Sequence, residues 1–587
     1  MQMNGAADRA VFTAERMDGA CFGLLRDWCD ALLALQVRQR DASLFGGVLC
    51  PACGMIHGRC HEAAYPMLYM ADRTGEEKYL KAALRLFDWG ENVVLPEGAV
   101  ANDLKSDWKG VTAFAAVSLH DALFYHGGLL GSCTRARWEK RLSAMGGWLY
   151  RELTVGAKAY INYYAANACA LSLLGNYFGR DDYLRAADAL AEYCFSHVSE
   201  NGLLYGECVP HEALSAKGCR GIDIGYNAEE SLPSLTRYAF ARKNADACDR
   251  CAELFHALLL FMLPDGAWDD SFGARAFKWT YWGSRTADGA TDALLLLGRT
   301  RPVFAEAALR NLMLLRRHTA RGLLQCGADY GAAAEPVCVH HTLCHAKTLA
   351  SSLNAGLYGF ERAALPTDEP TGTRYYPELD LLRLDHGAWL ADVSGYDARY
   401  KRGACAAGGT LTLLWRRFAG PVIAAGMSEY GLLEPQNQQL PRRPSEHGCP
   451  CPRIEATIGE KTYAQHFDRA ARLIRTEASG APGVRVEAKL ASPNGDLLND
   501  GDCMLFYGFE GADFLLWAEV RKSIADAARF VLPVVCGSAS VRVPRGRSVS
   551  VVPRRFSLTP GFLFDEYTVL PEKDGCVQIR ICAGEKS

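Results

Sequence analysis

No run of 18 apolar residues occurs in this 587-residue chain, which excludes a membrane-spanning helix. An excess of either charge is also missing. Sixty-four Lys and Arg stand against 67 Asp and Glu, a net charge of −3, so the basic footprint of a nucleic-acid binder is absent. The opening residues, MQMNGAADRAVFTAERMDGACFG, lack a basic segment followed by an apolar one, the pattern of a secretory leader. The expectation is a cytoplasmic protein, or a secreted or periplasmic one whose leader has been trimmed. Cysteine is thin for a disulfide scaffold, at 22 of 587 residues. Cys169, Cys194, Cys248 and Cys251 sit in apolar helical runs and read as reduced, buried thiols. No HExxH motif accompanies the histidines. Cys50, Cys53, His57 and Cys60 nevertheless offer four ligands for a structural zinc. The competing reading is reduced loop cysteines and no required cofactor.

What is present centres on residues 264–289, PDGAWDDSFGARAFKWTYWGSRTADG. Trp268, Trp279, Trp282, Phe272, Phe277 and Tyr281 alternate with Asp269, Asp270, Arg275, Lys278 and Arg285, without the apolar face of a helix. Aromatic faces cover the C–H faces of a pyranose, and cations answer a sugar carboxylate. The segment therefore reads as a sugar-site loop. The alternative is a rigid loop whose tryptophans fill core gaps.

Helical hairpins recur along the first 360 residues. AAYPMLYMADRTGEEKYLKAALRLFDWGENV and ANACALSLLGNYFGRDDYLRAADALAEYCFSHVSENGLL place Tyr79-Leu80 and Tyr183-Leu184 at matching points, and a looser copy begins at Leu235. Such repeats stack into an arrangement that closes or coils. The long polar and aromatic segments near 96–108, 200–226, 264–288 and 335–341 then gather on one rim. The expected fold is a multidomain α+β protein. Residues 1–363 form an (α/α) toroid, 364–373 (ALPTDEPTGT) a linker, and 374–587 an antiparallel β-sandwich of short alternating strands.

The rim supplies the candidate site residues: Trp108 and Lys109; Asn162; Glu207, His211, Tyr226 and Asn227; Trp268, Lys278, Trp279, Trp282 and Arg285; His341 and His345. Each has a plainer reading. Asn227, three residues before Glu230, fits a helix N-cap with a capping box. His341 and His345 share a helix face, as a metal pair or a packed pair does. Tyr226, in DIGYNAEES, sits at a helix entrance with Lys217 and Arg220 close by in sequence.

The helical-hairpin half, the β-rich half and the Asn/His/Tyr/Arg-bearing rim resemble polysaccharide lyases of the heparinase II/III-like and alginate-lyase type. The resemblance implies β-elimination on a uronic-acid-containing glycan. Asn162 would neutralise the uronate carboxylate, His211 would be a candidate base, and Tyr226 the acid or both acid and base. Arg285 and Lys278 would grip the carboxylate or its neighbours. Asn162 is followed by Tyr163 rather than by the histidine of that family's Asn-His pair. The resemblance implies nothing about oligomeric state. Two other readings stay open. One is a toroid glycoside hydrolase, an exo-uronidase, drawing two carboxylates from Glu207, Asp223, Asp269 and Asp270. The other is a non-catalytic carbohydrate-binding protein whose sandwich exposes Trp389, Trp415 or Trp517.

Overall fold

The computed structural model describes residues 11–39, 44–401, 403–429, 449–478 and 481–582. The reading of the chain start falls in part on residues 1–10, which lie outside the described residues.

Five hairpins follow one another: Ala64–Thr74 with Glu77–Trp89, Thr112–His126 with Ser132–Glu152, Ile161–Phe178 with Asp181–Phe195, Leu232–Arg242 with Ala245–Leu258, and Thr291–Gly298 with Pro302–Arg317. A sixth pairs Val339–Asn354 with the first helix of the chain, Ala14–Ala34. A two-residue strand pair, Val11–Phe12 with Phe360–Glu361, ties the two ends together. The first helix of each hairpin lies inside and touches the inner helices before and after it, and Val339–Asn354 packs back onto Ala64–Thr74. The stack therefore closes into a toroid.

Sequence explains which helix goes where. Ile161–Phe178 carries Ala165, Ala166, Ala168 and Ala170 on several faces and is buried nearly all round. Glu77–Trp89 buries only the stripe Tyr79, Ala82, Ala83, Leu86, Phe87 and Trp89, as an outer helix should. A short bridged turn follows three of the outer helices: Val94 with Val100, Val198 with Leu204, and Met262 with Trp268. Its glycine is left-handed, at φ 97° for Gly98 and 91° for Gly266. A Cβ on Gly98 would lie 2.1 Å from the Ala144 carbonyl oxygen, and one on Gly266 would lie 2.4 Å from the Arg310 carbonyl carbon. Only glycine lets each turn lie this close to the next outer helix.

The C-terminal half is two antiparallel sheets. Strands Gly372–Tyr376, Leu381–His386, Trp389–Ser394, Thr410–Arg416 and Gly420–Ala424 form a five-stranded meander, and eleven strands between Arg453 and Cys582 form the second sheet. Leu382, Leu384, Ala391 and Leu411 meet Val484, Val486, Leu505 and Ile579 in one core, the packing of a sandwich. The other face of the meander, with Leu381, Leu390, Leu413 and Trp415, joins the toroid core. Leu381–His386, Trp389–Ser394 and Thr410–Arg416 are buried on both faces, so the charges they carry, such as Arg383 and Asp392, must be paired. This burial also removes Trp389 and Trp415 from the carbohydrate-binding reading, since each is 2% exposed, while Trp517 is partly exposed.

Candidate active site

The loops that precede the inner helices open a cleft of about 600 Å³ on one rim of the toroid. Tyr226, Glu230, Arg275, Lys278, Thr286, Arg59 and His340 line it, with Trp108, Tyr160 and Tyr163 on one wall and Tyr400 reaching in from the sandwich half.

Tyr226 is placed by local backbone chemistry. Asp223 caps the helix start by accepting from the Tyr226 N–H at 2.7 Å. The chain then widens into a π-helical turn over Asn227–Ser231, a geometry common at functional sites. The capping assignment thus shifts from Asn227 to Asp223. Asn227 instead donates from Nδ2 to the Leu204 carbonyl at 2.9 Å, tying the turn to the adjacent rim loop. Lys278 Nζ donates to Tyr226 Oη at 2.6 Å, and Thr286 Oγ1 lies 3.0 Å from the same oxygen. The Arg275 guanidinium carbon stands 4.6 Å from the Tyr226 ring centre. Two cations thus stand beside one phenol. Thr286 holds φ at +69°, a strained position for a β-branched residue.

Glu230 is the second unusual group. Burial pushes its carboxyl up to about 8, reinforced by the nearby Asp288 charge, so it is a neutral acid at pH 7. Asn162 Nδ2 donates to its Oε2 at 2.7 Å. Asn162, itself outside the cleft lining, therefore touches a cleft residue through this bond. Beneath them lies a buried network with two cations and two anions. Arg59 Nε and Nη2 bind Glu62 at 2.7 and 2.8 Å, Arg59 Nη2 reaches Asp288 at 2.7 Å, and Lys347 binds both carboxylates. Burial opposes the Asp288 charge, but Arg59 and Lys347 outweigh it and hold that carboxyl at about 2. His340 completes the floor. Both its ring nitrogens are buried without a hydrogen-bond partner. Burial, followed by the charges of His57 and Arg59, keeps it neutral by lowering it well below the usual imidazole value.

Several predicted residues lie elsewhere. Trp268, Trp279 and Trp282 are wholly buried, and the last two donate from Nε1 to the carbonyls of Trp268 and Gln325. No ring face is left for a sugar, so their substrate-binding assignment is corrected to core packing. Arg285 is buried against Tyr330 Oη and the Leu558 carbonyl, joining toroid to sandwich away from the cleft lining. His211 spends one ring nitrogen on Tyr193 Oη at 3.0 Å and the other on the Ala159 carbonyl at 2.7 Å. Both positions a base would use are taken. Glu207 is locked to Arg275 at 2.5 Å. His345 lies 3.2 Å from Glu229 and packs edge-on to Trp282 beside buried His341. Lys109 is exposed and pairs with Glu97. Trp108 does line the cleft, donating from Nε1 to Tyr163 Oη at 2.9 Å. Arg59, lying between His57 and Cys60, and Glu230, in the capping pattern, carry no sequence signal of a cleft role, and nothing in sequence ties Tyr400 to the rim.

The four hydrolase carboxylates are buried and none lines the cleft, with Glu207 and Asp223 both facing Arg275. Asp269 is bound to Arg383 in the interface with the sandwich, and Asp270 is fully buried. The predicted four-ligand cluster gathers with one change: Cys50, Cys53, His57 and Cys338 bring ligand atoms within 4.8 Å of one another. Cys60, expected as the fourth member, is fully buried but lies outside that ligand group.

Residues 25–364 match the ulvan lyase N-terminal domain, and residues 373–554 match the ulvan lyase C-terminal domain. The chain belongs to the ulvan lyase family. It is 36% identical over 524 residues to the broad-specificity ulvan lyase of Formosa agariphila, covering 87% of this chain and 82% of that protein. The chondroitin AC lyase of Streptomyces coelicolor A3, solved with chondroitin sulphate, is 12% identical with a TM-score of 0.55. That match covers 100% of this chain and 81% of the other, and it shares the toroid followed by antiparallel sheets. This ulvan lyase family member is a carbon–oxygen lyase acting on a uronate glycan, and the hydrolase reading is not favoured.

Proposed function

We propose that the substrate is ulvan and that Tyr226 is the proton-transferring group. The carrying observation is the 2.6 Å contact from Lys278 Nζ to Tyr226 Oη inside a cleft that also holds a neutral carboxylic acid. Protonated Glu230 donates to the uronate carboxylate and withdraws its charge, which acidifies the C5–H. Lys278 and Arg275 stabilise the Tyr226 phenolate that takes this proton. The same phenol returns the proton to the glycosidic oxygen as the C4–O bond breaks, leaving a C4–C5 double bond and no need for water. Trp108 and Tyr163 offer the aromatic wall for a neighbouring sugar. Incubation with ulvan should raise the absorbance of an unsaturated uronate product. Release of saturated reducing ends without that absorbance would overturn the elimination. Turnover of chondroitin or heparan sulfate but not ulvan would overturn the substrate.

A second reading gives the C5 proton to His340 and leaves Tyr226 as acid alone. It is favoured by the two partnerless nitrogens of that neutral imidazole. Replacement of His340 by Gln separates the two, since only this reading makes the substitution as damaging as loss of the Tyr226 hydroxyl.

Glu230 gives a pH test. Its acid form is the working form, so kcat/KM should fall as pH rises through about 8. Glu230→Gln keeps a neutral donor that cannot ionise. The variant should stay within several-fold of the parent rate at pH 7 and lose the alkaline limb assigned to Glu230. Loss of all turnover at pH 7 would instead mark Glu230 as a working carboxylate.

A further inference from the structure

We infer that Cys50, Cys53, His57 and Cys338 form a structural zinc site that staples the closing seam of the toroid and fixes one side of the cleft. The geometry is that of a ligand set around one ion. Zinc–thiolate bonds of ~2.3 Å and zinc–imidazole bonds of ~2.0 Å in a tetrahedron put sulfurs about 3.8 Å apart and sulfur about 3.5 Å from nitrogen. Cys53 Sγ lies 3.8 Å from Cys338 Sγ, and Cys338 Sγ lies 3.3 Å from His57 Nε2. The Cys53 N–H points at Cys50 Sγ at 3.4 Å, a contact that stabilises a thiolate. Three thiols and an imidazole bring soft ligands suited to zinc. Cys50, His57 and Cys338 are buried, as a closed structural site requires.

Binding balances in charge. The cluster gives up three protons in all as one Zn²⁺ enters, leaving three thiolates, a neutral imidazole and a net charge of −1 on the site.

Position gives the site its consequence. Cys50, Cys53 and His57 belong to the loop that leads into the first inner helix, whereas Cys338 caps Val339–Asn354, the inner helix that completes the ring. The ion would therefore cross-link chain segments 281 residues apart at the seam where the ring closes. Two cleft residues hang directly from it. Arg59 follows His57 by two positions, and the His340 ring packs on the His57 ring at 5.1 Å. The metal would touch no substrate but would hold both side chains in place.

The experiment is metal analysis of the purified full chain, with Cys338→Ser and Cys60→Ser alongside. One zinc per chain is expected in the parent and in Cys60→Ser, and at least tenfold less in Cys338→Ser. Cobalt loading should give a thiolate-to-metal absorption band in the parent that is absent in Cys338→Ser. If Cys338→Ser fails to fold, mercurial release of zinc into a chromogenic chelator replaces it, and Tm should fall on release. A parent chain without stoichiometric metal, or metal kept by Cys338→Ser and lost by Cys60→Ser, would overturn the site. These readouts do not depend on the assignment of Tyr226, so either can fail alone.

Discussion

Tyr226→Phe is expected to lower kcat by ~10²-fold or more, the scale of general acid–base catalysis, while substrate affinity changes little. The phenolic oxygen meets a lysine ammonium at 2.6 Å and a threonine hydroxyl at 3.0 Å. Phenylalanine keeps the ring and its stacking under Arg275 but removes the proton carrier. The fold should lose no more than the one or two hydrogen bonds, ~1–3 kcal/mol, because the helix start rests on the Asp223 cap rather than on the hydroxyl. Lys278→Met is the companion experiment. It should slow turnover at neutral pH, since the phenolic oxygen loses its nearest cation. Initial rates on ulvan across pH, with Tm measured for each variant, decide the matter. An undiminished kcat in Tyr226→Phe would remove Tyr226 from the chemistry.

Tyr226 and Lys278 were legible because short-range signals carried them: a helix entrance after two glycine-bearing turns, and a loop crowded with cations. The same loop misled on its tryptophans. A sugar platform and a domain junction need the same residues, and Tyr281 Oη accepting from Trp415 Nε1 at 3.1 Å shows that this loop packs against the meander. The hairpins were legible through matching points such as Tyr79 and Tyr183, both buried at the start of outer helices. Closure was not, because the sixth hairpin joins the first helix of the toroid to its last. The metal cluster divides the same way. Three ligands follow local spacing, while Cys338 is recruited only by the closing ring. Cys60 satisfied the spacing yet sits on the first 3₁₀ turn, which turns it into the core. Glu230 is a further case, for its chemistry arises from burial and from Asp288, neither visible in NAEES.

Arg383→Met is expected to destabilise the protein by ~3–5 kcal/mol, whereas Asp269→Asn should leave both folding and turnover nearly intact. Arg383 is 1% exposed and binds Asp392 at 2.9 and 2.5 Å and Asp269 at 2.5 Å. Two carboxylates thus share one guanidinium at the seam between the toroid loop and the meander. Burial first, then the Asp392 charge, drives Asp269 well above the usual carboxylate range, so it carries a proton while Asp392 stays paired with Arg383. Removing the guanidinium leaves Asp392 buried and uncompensated, the costly kind of substitution. Asparagine at 269 replaces a neutral acid with a neutral amide of the same shape, at the scale of one hydrogen bond, ~1 kcal/mol. The sign of the pH dependence follows. Native Asp269 holds a proton that the unfolded chain releases above its ordinary value near 3.8. Wild-type stability is therefore eroded as pH rises from that value toward the raised native one, and Asp269→Asn removes this slope and gains on the parent in the same window. Thermal unfolding from pH 4 to pH 8, paired with initial rates on ulvan, reads both effects. A folded Asp269→Asn variant without turnover would restore the carboxylate-pair hydrolase.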